Sequence, residues 1–132
     1  MSSHKALRLS PACIKTLTKV EVDPSSSHQR EFNGVHELKE MFGEQRNQFN
    51  AEFSIRGESL AETSDVTWYE ARENHPTRSE YRLYFKSNEI MNQASVGDNI
   101  IIGFDSKQKL HCILIKKNTE AHDGPVSNWT PL

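Results

Sequence analysis

Basic excess is the first thing this sequence lacks. Its 132 residues carry 16 Lys and Arg against 18 Asp and Glu, a formal net charge of −2, with a pI near 6.3. That excludes the uniformly cationic surface on which nonspecific nucleic-acid binders rely. Long apolar runs are missing too. None approaches the roughly 18 residues of a membrane span, and "MSSHKALRLSPAC" lacks the apolar middle of a secretion signal. The expectation is a cytoplasmic protein with no membrane partner. The two cysteines, Cys13 and Cys112, are too few and too isolated for a disulfide scaffold or a paired-cysteine zinc site, and read as buried, reduced thiols. No glycine-rich loop cradles a phosphate, and no Ser-His-Asp constellation stands out. His36, His75, His111 and His122 are scattered.

What remains is lean and polar, with 35% hydrophobic residues and a mean hydropathy of −0.72. The length suits one domain with one core, and the composition suits a thin barrel better than a helical bundle. Charge is unevenly spread. Residues 1–20 hold Lys5, Arg8, Lys15 and Lys19 and no acid; residues 21–75 hold 5 bases against 12 acids; residues 76–117 hold 7 against 4. A molecule polarised in this way offers a basic face although its total is negative.

Alternation and breakers mark the elements. "ACIKTLTKVEVD" (12–23) reads as a strand, and "PSSSHQREFN" (24–33) as a loop. "VHELKEMFG" (35–43) is a short helix stopped by Gly43. "AEFSIRG" (51–57) and "DVTWYEAR" (65–72) are strands, with 59–64 a connection. "ENHPT" (73–77) is a turn, because Pro76 disfavours helix and central strand. "RSEYRLYFK" (78–86) is the strand paired to it. "SNEIMNQAS" (87–95) suits a helix capped by Ser87 or Asn88. The nearly continuous apolar runs in 96–105 and 109–117 predict strands buried on both faces, joined by the turn "DSKQ". Residues 118–132 have little periodicity and read as a tail or linker. About six to seven short strands and two short helices suggest a barrel with helices plugging its ends.

The chemistry concentrates in "WYEARENHPTRSEYRLYF" (68–85). On a strand Arg78, Glu80 and Arg82 share one face, followed by Tyr84 and Lys86, while Ser79, Tyr81, Leu83 and Phe85 take the core face. Such a row serves equally as a solvated face with cross-strand ion pairs. It also fits a groove reader. Arginine forks onto guanine O6 and N7, and a carboxylate accepts from cytosine N4. Like-facing residues lie about 7 Å apart, near two base-pair steps. Pure phosphate binding would not place Glu80 between two arginines, so the acid favours base readout. A second cluster, His28, Gln29 and Arg30, follows the serine run and carries base-edge donors and acceptors.

Two other function classes stay open. Asp98 with Asp105 and Lys107 imitates the acid spacing of a Mg²⁺-dependent nuclease, although "DSKQ" is also an ordinary hairpin turn. Trp68, Tyr69 and Tyr84 offer an aromatic surface for a carbohydrate or a protein.

The stretch "WYEARENHPTRSEYR", with "KTL" (15–17), "HQ" (28–29), "ELKEMFG" (37–43), "GDNIIIGFD" (97–105) and "LHCILI" (110–115), resembles the N-terminal effector-binding domain of EcoRII-type restriction endonucleases over residues 12–117 or so. The resemblance implies a mainly β, B3-like DNA-binding pseudobarrel with short helices, spanning residues 1–117. It implies two arms, 28–33 and 72–82, clasping double-stranded DNA at a short CCWGG-like site. Base contacts fall to His28, Arg30, Asn33, Arg78, Glu80 and Arg82; backbone contacts fall to Lys15, Lys19, Gln29, Arg72, Tyr81 and Lys86. On this resemblance the domain is a recognition module of a bacterial restriction–modification system and not itself an enzyme. It needs no cofactor; Mg²⁺ and cleavage belong to a catalytic nuclease domain of the same polypeptide, reached through the 118–132 linker. The chain departs from the family pattern where basic residues of the second arm become Pro76 and Tyr81, and where a Gly-Gly before His-Gln becomes Ser26-Ser27.

Overall fold

Alternating apolar residues and the near absence of strong helix periodicity make strands the dominant element. A computed structural model describes residues 8–22, 31–34, 36–70 and 81–132. Their elements are β1 Ala12–Thr16, α1 Lys19–Val22, β2 Glu31–Gly34, α2 His36–Phe42, β3 Asn47–Ile55, β4 Ala61–Glu70, β5 Tyr81–Phe85, α3 Glu89–Asn92, β6 Asn99–Phe104, β7 Leu110–Ile115 and β8 Thr130–Pro131. The strands form one sheet in the order β2-β5-β4-β3-β7-β6-β1-β8. Its pairs are antiparallel except β3 with β7. The domain is mainly β with a curled sheet and short helices.

The curl is visible where the two edges meet. Phe32, in edge strand β2, meets the ring of Trp129, just before edge strand β8, edge to face at 5.8 Å. Inside lies one core that includes Phe53, Val66, Trp68, Leu83, Phe85, Ile100, Ile102 and Leu114. Strands β6 and β7 are buried along their whole length, as their continuous apolar runs predict. A smaller cluster on the other face, Ala12, Ile101, Ile113 and Ile115, is covered by Leu9, Ile14 and Ala121. The chain crosses β6 so closely at residues 9–12 that a Cβ on Gly103 would stand 2.7 Å from that of Ala12. None of the helices in the described residues is long and apolar enough to cross a membrane.

The short helices have local causes. In α2, Leu38 and Phe42 are buried, and Gly43 (φ 82°) stops the helix in a left-handed conformation that costs glycine little. In α3, Asn88 caps the N-terminus by accepting from the Met91 N–H at 2.9 Å; Ser87 is not the cap. The 87–95 and 35–43 helices therefore form where the sequence places them.

Three expectations need correction. The 12–23 strand stops at Thr16, because the Glu21 side chain turns back on Thr18: the Thr18 N–H donates to Glu21 Oε1 at 2.8 Å, one half of a capping box, and the Thr18 hydroxyl donates to the same oxygen at 3.1 Å, which starts α1. Strand β4 begins at Ala61 and β3 at Asn47, so 59–64 is only partly a connection. Residues 118–132 are not a loose linker. Thr16 N–H donates to Val126 O at 2.8 Å and Leu132 N–H to Ala12 O at 2.9 Å. Trp129 is 4% exposed within the core. A segment with no periodicity docks because one large aromatic and a few backbone bonds hold it.

Candidate nucleic-acid interface

The face of interest is the outer side of β3, β4, β5 and β2. Along residues 81–86 burial alternates as the sequence requires: Tyr81, Leu83 and Phe85 are buried, while Arg82 is half-buried and Tyr84 and Lys86 are exposed. Pairing then sets the rows. Arg82 lies opposite Asn33 on β2 and Tyr69 on β4. Arg46 stacks on the Tyr69 ring at 5.8 Å, extending that row. The next row runs Glu31, Tyr84, Thr67 and Gln48. The third holds Lys86, Asp65 and Asn50, with Lys86 Nζ 3.9 Å from Asp65 and Asn50 Nδ2 donating to Asp65 at 3.1 Å.

The pairing of β2 with β5 brings the roots of the two expected arms together. Asn33 and Arg82, one from each arm, are register partners. The chain enters β2 at Glu31, opposite Tyr84, and enters β5 at Tyr81, opposite Gly34. The roots therefore lie at opposite ends of the pair, roughly 10 Å apart at about 3.3 Å per residue. That is comparable to the width of a major groove, about 12 Å. His28, Gln29, Arg30, Arg72, Arg78 and Glu80 lie outside the described residues.

Two expected backbone contacts are engaged inward instead. Tyr81 is 9% exposed, stacks on Trp68 at 5.2 Å and donates its hydroxyl to Glu44 O at 3.0 Å. Trp68 likewise donates to Gly43 O at 2.9 Å. Both rings tie the start of β5 to the end of α2, so Tyr81 is a supporting residue whose hydroxyl is already engaged inward. Lys15 holds Glu21 at 2.9 Å with 14% of its side chain exposed, so its charge is already matched. Lys19 is exposed and Lys86 only loosely paired; both stay accessible.

Sequence reasoning missed Arg46, Gln48 and Asn50. Their signal was the alternation of polar and apolar residues in 46–53, which places Gln48 and Asn50 opposite Phe49 and Ala51. It also grouped Trp68 with Tyr69 and Tyr84 as a surface, whereas Trp68 is fully buried.

The acids that imitate a nuclease do not converge. Asp98 and Asp105 flank opposite ends of β6, roughly 20 Å apart by strand rise. Asp98 is fully buried; it accepts from Lys116 Nζ at 2.7 Å, Ser95 N–H at 2.8 Å and Lys117 N–H at 2.9 Å. Asp105 closes the "DSKQ" turn, accepting from the N–H groups of Lys107 and Lys109 and bonding His111 Nε2 at 2.8 Å. The His111 bond first, then the Lys109 N–H, lowers its carboxyl to about 2. Among the described residues no group of three or more His, Cys, Asp or Glu is placed to hold a metal ion.

Comparison with protein-family models and with curated proteins returned no match.

Proposed function

We propose that this chain is a sequence-specific binding domain for double-stranded DNA, built as a B3-like pseudobarrel. The observation that carries the reading is the register of Asn33 with Arg82, which brings the ends of the two expected arms into one strand pair, their entry points at its opposite ends. Arginine, asparagine and glutamine are the side chains that read guanine and adenine edges in the major groove. They cluster here as Arg46, Gln48, Asn50 and Arg82. Tyr84 adds a flat, exposed ring beside them, and Lys19 and Lys86 supply phosphate contacts. His28, Arg30, Arg78 and Glu80 on the arms, with Asn33, complete the base-reading set; Gln29 and Arg72 join the phosphate contacts. In this reading the domain cleaves nothing and needs no cofactor. It delivers a nuclease domain of the same polypeptide to a CCWGG-like site in the cytoplasm.

The polarity of the chain also speaks for readout over grip. With Lys19, Lys86 and Arg72 as the cations on phosphate, the dependence of log K on log salt is expected to be shallow, on the order of −3 at about −0.9 each. The test is fluorescence anisotropy with a CCWGG duplex and a scrambled duplex across a salt series. Arg82→Ala is expected to cost about 1–3 kcal/mol on the matched duplex and to relax one base position. Equal affinity for both duplexes in the unaltered protein would remove base readout.

A further inference from the structure

We propose that the outer face of β1, β6 and β7 carries a second binding site, for a small aliphatic zwitterion: an amino acid with a branched aliphatic side chain, or a short peptide of such residues. The site stands whether or not the chain binds DNA, because it shares no residue with the face described above.

Two crossings of the chain make it. At one end of β6, Leu9 packs over Gly103, where a Cβ would stand 2.9 Å from that of Leu9. At the other end the segment after β7 is tied down. His122 Nε2 lies 2.8 Å from Gly97 O, and Asn99 Nδ2 donates to Gly124 O at 3.1 Å. Gly103 and Asn99 are four residues apart on β6, about 13 Å by strand rise. The space between the two crossings is a cavity of about 310 Å³, at the lower end of the range for small-ligand sites.

Its floor is Ile14, Ile101 and Ile115, one side chain from each of three adjacent strands. Only two lining side chains are polar, Arg56 and Asp123; the rest are aliphatic. Arg56 follows β3, where its N–H donates to Leu114 O at 2.8 Å, which sets it beside Ile115. Asp123 lies between the two tethered residues His122 and Gly124. Both side chains belong to exposed residues, and among the described residues neither has an ion-pair or hydrogen-bond partner.

A guanidinium and a carboxylate, each unmatched, over an aliphatic floor define the ligand by complement. Arginine forks onto a carboxylate, Asp123 accepts from an ammonium, and the isoleucines take a branched alkyl group out of water. A nucleobase would find no ring to stack on, and a long-chain carboxylate would leave Asp123 unmatched. Burying one branched alkyl side chain favours binding about ten- to a hundredfold, and a hydrogen bond to a charged group does so by a similar factor.

The test is an NMR titration of the full chain, followed by the methyl shifts of Ile14, Ile101 and Ile115, with leucine and leucyl-leucine as probes. Saturable shifts at these methyls with either probe are expected, and which of the two binds tighter tells whether the free amino acid or the peptide is the ligand. Three analogues dissect the contacts. Glycine lacks the alkyl group, 4-methylpentanoate the ammonium and 3-methylbutylamine the carboxylate; each is expected to bind at least about tenfold more weakly than the better probe. Arg56→Gln is expected to weaken that probe about tenfold or more while leaving the amine unchanged. Asp123→Asn is expected to weaken it likewise while leaving 4-methylpentanoate unchanged. Both side chains are exposed and unpaired, so the variants keep the fold, and circular dichroism checks it. No saturable shift up to about 10 mM of either probe, an analogue bound as tightly as the zwitterion, or variants without effect would each overturn the site.

Discussion

Truncating Trp129 to alanine discriminates between a C-terminal linker and a C-terminal piece of barrel. A linker tryptophan costs nothing to remove. Here the side chain is 4% exposed and sits edge-on to Phe32 at 5.8 Å. Burying a tryptophan removes about 200 Å² from water, which at ~25 cal/mol per Å² contributes about 5 kcal/mol. A compact unfolded chain reduces that to about 3–4.5 kcal/mol, and the lost ring pair adds about 1 kcal/mol. Trp129→Ala should therefore destabilise by about 4–5.5 kcal/mol, the upper end of aromatic-to-alanine changes in cores. With a urea m-value of about 2 kcal/mol per M, the midpoint drops by about 2–3 M. Circular dichroism through a urea titration measures it. Because a domain holds only about 5–15 kcal/mol in total, Trp129→Phe serves as the milder probe, expected to lose about 1–2 kcal/mol. A Trp129→Ala protein within about 0.5 kcal/mol of the parent would refute the docked segment, and with it the meeting of the sheet edges.

Two further outcomes follow from single side chains. The Asp105 carboxyl is expected to titrate near 2 and not near 3.8 in an NMR pH series. Because its folded value is depressed, the stability it lends is complete above the ordinary carboxylate value and is lost as pH falls through about 2; a midpoint near 3.8 contradicts the turn geometry. Burial raises the Cys13 thiol and pushes that of Cys112 up to about 12, so a colourimetric thiol reagent at pH 8 should find neither cysteine until the protein is denatured. In the sheet Cys13 pairs with Ile102, and Ile102 with Cys112. The two Cα atoms are thus about 10 Å apart, too far for a disulfide; rapid reaction of both thiols in the folded protein would sink this placement.

The sequence carried the elements whose physics is local. The apolar runs of β6 and β7, the stop at Gly43, the Asn88 cap and the alternation in 81–86 are all set by nearest neighbours. What escaped was fixed at long range. Residues 12–23 alternate well enough for one strand, and only the side chain of Glu21 turning back on Thr18 ends it. Residues 118–132 carry no period because one ring and a few backbone bonds dock them. Tyr81 read as both a core residue and a phosphate contact, and its depth was decided by Trp68 and the carbonyl of Glu44. Arg46, Gln48 and Asn50 joined the candidate face only once β3 was paired with β4. A sequence shows which residues alternate; the neighbour across the ladder decides which alternations share a surface.

The strand order then explains why one seam carries so much. An open sheet leaves an edge at each end, and each edge exposes unpaired backbone groups that invite unwanted pairing. Here the edges are β2 and β8, and the sheet curls until Phe32 meets Trp129. Closure is made by side chains and not by a ladder, so it is weaker than the pairs around it. That weakness falls at the start of β2 and where β2 meets β5. If the domain binds DNA as proposed, a site that opens around a rigid duplex needs a stiff floor and a yielding rim. Strands β3, β4 and β5 supply the floor through long ladders. The four-residue strand β2, stapled at one face by a single tryptophan, supplies the rim.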